Sequence, residues 1–336
     1  MQSKKVVTFG EVMMRLSTPG FARFQQAKAF NVIYGGGEAN VAISLAAFNQ
    51  PAQHITRFPD NDIGHAATSY IRSLGVDTSA IQYGGDRIGI YFLETGAALR
   101  SSKVVYDRFN SAFALMPADC FDWDNILENT VWFHFTGITP AISQQAFNQC
   151  LQAVKAAKQK GITVSCDVSY RKNLWQYGVT PQDAMPKLIE HCDVIFAGKS
   201  DIRDIFAVEL APEDKFVQAA EKMMFKYPNL KKIINSKRDS NSASDNTISG
   251  VVYVDGALLE TPKYKVMPII DRVGGGDAFA AGYIYGALHL SSEQEAINFA
   301  AAASAFKHTV EGDANICSVD EVLTIMRGDT SGKIIR

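Results

Sequence analysis

The sequence predicts an α/β protein, a three-layer α/β/α sandwich around a mostly parallel sheet, with a small β-sheet lid beside it. Three observations carry this reading. Short, nearly continuous apolar runs recur at 6–9, 53–57, 131–135, 162–166, 193–197 and 232–235, as in strands buried on both faces. Segments of helical length fall between most of them, at 38–48, 63–74, 143–159, 181–190, 201–206 and 212–226, as βαβ units require. Two stretches, 15–34 and 83–109, break that alternation. They hold extended polar/apolar pieces such as Ile88-Gly89-Ile90-Tyr91-Phe92-Leu93-Glu94, which read as a separate small sheet placed to act as a lid.

After 232–235 the pattern changes. Residues 236–249 are rich in Ser, Asn and Asp and predict a flexible loop. Residues 250–254 and 258–266 then read as antiparallel strands joined by a turn at Asp255-Gly256, a favoured hairpin dipeptide. Two Ala-rich helices follow, at 278–288 and 293–308, whose small side chains allow close packing. The 336 residues are read as one unit, 1–336, with the lid segments as its appendage.

Bulk properties exclude several classes. The formal charge is −2 and no basic run carries interleaved aromatics, so no nucleic-acid partner is expected. No apolar stretch reaches about 18 residues, so no membrane span is expected. The opening residues lead into a strand without the pattern of a secretory signal. Five cysteines (Cys120, Cys150, Cys166, Cys192 and Cys317) form no C-x-x-C pair. An odd count in a long chain predicts free thiols and a cytoplasmic location.

The most informative stretch is Asp271-Arg272-Val273-Gly274-Gly275-Gly276-Asp277-Ala278-Phe279. Three glycines before a helix let the backbone amides of Gly274, Gly275 and Gly276 face one concavity. The helix N-terminus adds partial positive charge there. Asp277 stands at the rim, placed to take a proton from a hydroxyl. An acid in a first helical turn also gains about 0.3–1 kcal/mol from the dipole alone, so the glycines, not the acid, make this stretch specific. Anion cradle plus base points to phosphoryl transfer to an alcohol. A second run, Tyr34-Gly35-Gly36-Gly37-Glu38-Ala39-Asn40-Val41-Ala42, leaves bare backbone against which a ligand can lie, with Asn40 to bond a hydroxyl. Taken alone, it reads most often as a tight turn.

The two runs together resemble the PfkB (ribokinase-like) family of carbohydrate kinases. Its early Gly-Gly-x-x-x-Asn-x-Ala pattern matches 35–42, and its late Asp-x-x-Gly-x-Gly-Asp-x-Phe pattern matches 271–279. The resemblance covers nearly the whole chain. It implies the ribokinase-like form of the sandwich, ATP with Mg2+ as phosphoryl donor, Asp277 as catalytic base, and an anion hole at Gly274–Gly276. Within the family, Gly89-Ile90-Tyr91, Tyr106-Asp107-Arg108, Thr136-Gly137-Ile138-Thr139-Pro140 and the run 166–175 are similar to kinases of 2-keto-3-deoxygluconate. That similarity implies sugar-acid contacts at Tyr91, Tyr106, Arg108 and Arg171, beside Gly35, Gly36, Asn40 and Asp277 of the two glycine runs. A guanidinium suits such a substrate, because it pairs with a carboxylate through two parallel hydrogen bonds.

The family's nucleotide loop falls on Asn235-Ser236-Lys237-Arg238, so Ser236 and Lys237, with Gly274 and Gly276, are the expected ATP contacts, with Arg238 the alternative to Lys237 for the phosphates. Where relatives carry Asn-x-x-Glu, this chain has Gly198-Lys199-Ser200-Asp201, which makes Asp201 an indirect magnesium holder. Ala301 stands where an Asn is common near the adenine. A homo-oligomer, a dimer or larger, is implied by the lid. Two readings stay beside the sugar-acid kinase: another sugar kinase of the family, of fructokinase or ribokinase type, and a sugar-binding relative without catalysis.

Overall fold

The computed structural model describes residues 4–329. Six strands run parallel in the order Lys232–Ser240, Val194–Phe196, Thr163–Asp167, Thr130–Thr136, Lys5–Phe9 and Ala52–Ile55. Their side chains alternate between two apolar layers. Phe133, Phe135, Val164 and Cys166 face the helices Gln144–Gln159, Pro181–Ile189 and Phe216–Lys226. Val6, Trp132 and Ile234 face the helices Gly37–Ala47, Gly275–His289 and Glu293–Lys307. This is the expected three-layer sandwich. The last two helices pack closely: a Cβ at Gly286 would stand 2.6 Å from Ala296 Cα. His134, inside its strand, is fully buried with Nδ1 2.8 Å from Ser165 Oγ.

The segments expected to form a separate sheet do so. Its four strands run Asn31–Gly35, Met13–Ser17, Gly89–Glu94 and Lys103–Asp107. The sheet begins at Met13, two residues before the expected start. Short helices at Trp123–Ile126, Ile138–Ile142 and Val319–Met326 were not anticipated.

One expectation is overturned. Residues 236–249 are not a flexible loop. They are the ends of two paired strands, Lys232–Ser240 and Asn246–Val254, in register from Asn235 opposite Val251 to Ser240 opposite Asn246. Ser, Lys, Asp and Asn have little strand propensity of their own. Continuation of a ladder begun by buried apolar residues overrides it, since propensity in a strand depends on its neighbours. The hairpin tip meets the small sheet, where the Ala243 amide donates to the Ala98 carbonyl at 2.9 Å. Among the described residues no helix is long and apolar enough to cross a membrane, and the five cysteines are free thiols.

Candidate active site

The carboxyl ends of the parallel strands lie along one edge of the sheet and bring Glu11, Thr136, Asp167, Gly198 and Ser236 there. In open α/β sheets the crevice beyond the strands' carboxyl ends is where ligands bind. Here it is a cavity of about 500 Å³ between that edge and the small sheet. Its wall brings together Gly35, Gly36, Asn40, Tyr91, Tyr106, Arg108, Arg171, Ser236, Lys237, Gly274, Gly275, Gly276 and Asp277. Asp201 lies apart, in a side cavity of about 170 Å³ shared with Asp167, Arg171, Ser236 and Gly276.

The cradle is built by three glycines with three different reasons. Gly274 caps the helix in the left-handed region, φ 79°, where a side chain is strained; a Cβ there would also overlap the Asp313 carbonyl. A Cβ at Gly275 would press on the His308 ring, whereas one at Gly276 would meet nothing within 4 Å. Only Gly276 therefore faces open space. The first intrahelical bond runs from the Ala278 amide to the Gly274 carbonyl at 2.8 Å, which leaves the amides before it free.

Asp277 follows directly, in the first helical turn. The Asn40 side-chain amide donates to its Oδ2 at 2.7 Å. Loss of solvation pushes the Asp277 carboxyl up to about 7, the nearby acids Asp167, Asp313 and Glu38 add to the rise, and the Asn40 bond opposes it. An acid with that pKa takes and returns protons near neutral pH. Glu38 is itself buried. It accepts from the Thr136 amide, Thr136 Oγ1 and Thr139 Oγ1 at 2.9, 2.8 and 2.6 Å, so it ties the helix Gly37–Ala47 to the neighbouring strand end. Burial raises its pKa and those bonds oppose the rise.

The arginines differ. Arg108, 6% exposed, gives Nε and Nη2 to the Glu11 carboxylate, with the Nε contact at 2.8 Å. Ser111 donates to the same carboxylate. Arg108 was expected to offer both prongs of its fork to a sugar acid; the buried Glu11 takes two nitrogens and leaves only Nη1 uncommitted among the described residues. Arg171 is exposed and donates only to its neighbour's carbonyl, Tyr170 O, at 3.0 Å. Among the described residues its guanidinium forms no ion pair, although its charge acts on the carboxyls of Asp167 and Asp201. Tyr91 and Tyr106 sit opposite each other across adjacent strands, with ring centroids 6.0 Å apart. The Tyr106 hydroxyl is free among the described residues, while that of Tyr91 is donated to Asp313.

Further cations line the nucleotide-loop side. Ser236, Lys237 and Arg238 are exposed on the extended strand. Arg238 has no hydrogen-bond partner among the described residues; desolvation, then Arg272, lowers its pKa. Arg272 reaches Ser240 Oγ at 2.9 Å. In the side cavity, burial pushes the Asp167 carboxyl up to about 6 and raises that of Asp201. Among the described residues neither carboxylate forms an ion pair, the nearby Arg171 charge opposes both rises, and the Gly198 amide donates to one Asp201 oxygen at 2.8 Å.

Sequence reasoning missed Glu11, Arg15, Asp313 and His308. Glu11 had a usable signal, since it follows a predicted strand at its carboxyl end. Asp313 had none, because it lies in an irregular loop more than 200 residues from most of what it touches.

Comparison with known proteins gives these arrangements a context. The pfkB family carbohydrate kinase pattern matches residues 3–320. The crystal structure of 2-dehydro-3-deoxygluconokinase from Thermotoga maritima is 42% identical, covers 97% of this chain and 99% of its own, and superposes with a TM-score of 0.92. A PfkB family carbohydrate kinase from Listeria grayi is 34% identical over 96% of this chain and 100% of its own, with a TM-score of 0.91. In sequence, the 2-dehydro-3-deoxygalactonokinase of Haloferax volcanii is 29% identical over 98% of each chain. The chain belongs to the pfkB family of carbohydrate kinases, enzymes that transfer a phosphoryl group to an alcohol.

Proposed function

We propose that this carbohydrate kinase transfers the γ-phosphoryl group of ATP to O6 of 2-keto-3-deoxygluconate, giving 2-keto-3-deoxy-6-phosphogluconate. One observation carries the reading: an Asn40-held carboxylate, the free amides of a glycine cradle and an unpaired guanidinium line a single cavity. The names of the Thermotoga and Haloferax relatives support the substrate class.

Asp277 accepts the proton of the attacking hydroxyl. Asn40 fixes one of its oxygens and leaves the other to the substrate. The amides of the cradle stabilise charge on the transferring group, which is most of what phosphoryl transfer asks of a protein. Lys237, Arg238 and Arg272 line the path of the polyphosphate with positive charge that, among the described residues, no carboxylate pairs. Arg171 pairs with the sugar-acid carboxylate, with Nη1 of Arg108 and the Tyr106 hydroxyl beside it. Tyr91 stays near the substrate but donates its hydroxyl hydrogen bond to Asp313. Gly35 and Gly36 shape the floor.

The residues fit nucleotide and metal. Gly276 leaves space over the cradle for a phosphate. Asp167 and Asp201 are partly buried carboxylates without ion pairs, hard oxygen donors of the kind that hold hydrated magnesium through its waters. Magnesium there would offset charge on the phosphates. The protein acts in the cytoplasm, consistent with its free thiols.

A homo-oligomer belongs to the same proposal. The outer strand Lys103–Asp107 is exposed along its length, with Val105 53% and nearby Phe109 66% exposed. An open apolar edge of this kind pairs with a second copy. Sedimentation is expected to give a dimer or larger; a monomer at micromolar concentration removes this part.

The deciding experiment is ADP release with Mg-ATP and a panel of 2-keto-3-deoxygluconate, its galacto epimer, gluconate, fructose and ribose. Turnover confined to the keto-deoxy acids is expected. Turnover on fructose or ribose keeps the kinase and refutes the carboxylate pocket. Silence on all five points to a sugar-binding relative without catalysis.

A further inference from the structure

Arg15 plays no part in the chemistry described above, yet it is a buried cation, 3% exposed, bonded to Asp313 of the cavity wall. It lies on the strand Met13–Ser17 of the small sheet, opposite Tyr91 on the next strand. Its two terminal nitrogens go to different carboxylates of the main domain. One reaches Asp271 Oδ2 at 2.6 Å and the other Asp313 Oδ1 at 2.5 Å. Tyr91 adds a bond to the second oxygen of Asp313.

Both acids belong to the cradle's foundation. Asp271 opens the loop that becomes the cradle and accepts the amides of Val273 at 3.0 Å and Gly312 at 3.2 Å. The Asp313 carbonyl lies so close to Gly274 that a Cβ there would overlap it, and a Cβ at Gly35 would stand 2.3 Å from the Asp313 carboxylate. Asp313 thus touches both glycine runs. No other cation among the described residues forms an ion pair with either acid. Lys307, also buried, donates to the Val310 carbonyl at 3.0 Å and feels the charge of both acids without an ion pair to either among the described residues.

We propose that Arg15 is a positioning residue for phosphoryl transfer: it clamps the small sheet to the cradle loop through Asp271 and Asp313, and it offsets part of the charge of two carboxylates that would otherwise oppose an incoming phosphoryl group. The physical reasons are geometric and electrostatic. A planar guanidinium bridges two carboxylates in fixed directions, which an ammonium does not. Uncompensated buried carboxylates at the base of an anion cradle repel the ligand the cradle serves, and weak local screening strengthens that repulsion. The clamp also makes closure of the small sheet and alignment of the cradle one event. The inference rests on the cleft being the phosphoryl-transfer site, not on which sugar acid it takes.

The test uses the full chain with Arg15→Lys, Arg15→Met, Asp313→Asn and the double variant Arg15→Met/Asp313→Asn. Each is measured for melting temperature, kcat and both KM values. The acceptor is whichever panel compound the wild type phosphorylates, or water through ATP hydrolysis if it phosphorylates none. A failure of the proposed substrate is thereby separated from a failure of the clamp. Arg15→Met is expected to lower kcat at least about 30-fold, more than either KM rises, and Arg15→Lys by about fivefold or more. The double variant is expected to regain at least about fivefold over Arg15→Met, because removing a carboxylate restores the charge balance. A residue that merely packs would show no such recovery. The proposal is overturned if kcat of Arg15→Met stays within about twofold of wild type, or if the double variant is slower than Arg15→Met. If Arg15→Met does not fold, Arg15→Lys decides: the stated loss in kcat supports the clamp, and kcat within about twofold of wild type ends it.

Discussion

The two glycine runs look alike in sequence, yet the tertiary structure uses them in opposite ways. Each precedes a buried, Ala-containing helix, Gly37–Ala47 in one case and Gly275–His289 in the other. In the early run, glycine makes room for protein: a Cβ at Gly35 would overlap the Asp313 carboxylate, and one at Gly36 the Glu11 carbonyl. In the late run, Gly274 and Gly275 serve the same packing need, but Gly276 faces space that no protein atom fills. A glycine run before a helix is therefore not an anion site in itself. It becomes one where a bare position and free amides open onto a cavity, and where a titratable group stands beside them. The early run supplies Asn40 to that group, and the late run supplies the group.

Variants at the two runs test that contrast. The largest effect is expected at Asp277. Asp277→Ala should lower kcat roughly 100- to 10,000-fold with substrate binding largely kept, as read by ADP release and by titration of the acceptor. Normal turnover would end its role as base. The same residue sets the pH dependence. The base works ionised, and its pKa is pushed up to about 7 by loss of solvation. As pH falls through that value the carboxylate takes up a proton, so kcat/KM should fall about tenfold per unit on the acid side. In Asp277→Ala that limb should vanish.

Gly36→Ala comes next, and its effect belongs to folding. Forcing a methyl against the Glu11 backbone should cost about 1–3 kcal/mol, read by denaturant unfolding. An unchanged midpoint would mean the early run is looser than described. Gly276→Ala should do the reverse. The helix gains up to about 1 kcal/mol from alanine over glycine, while KM for ATP rises because the methyl occupies the cradle. A stable variant with unaltered KM for ATP would separate Gly276 from the phosphate path and collapse the contrast between the runs.

Much of this was legible in the chain. Near-continuous apolar runs gave the parallel sheet, because a strand buried on both faces has no polar side to show. The lid sheet showed as alternation at residues 88–94. The cradle showed because an unbranched run of glycines before Asp277 has few other uses. The strand pairing of 236–249 was not legible, since Ser236, Lys237 and Asp239 take their conformation from the partner strand rather than from their own propensity. Nor was the fate of Arg108. The sequence shows two arginines after strand-like segments, Arg108 and Arg171, and nothing local to tell them apart.

What the sequence determined by itself is what depends on near neighbours: periodicity, turn chemistry, the glycine run ahead of a helix and the base beside it. What only the tertiary structure decided is how charge is shared among residues far apart. Glu11 holds Arg108 across 97 positions, and Asp313 receives Arg15 across 298 and Tyr91 across 222. Burial makes each pairing obligatory, because an unpaired charge out of water is costly. Which partner satisfies it is set by where the strands and loops converge, and no local stretch of sequence carries that information.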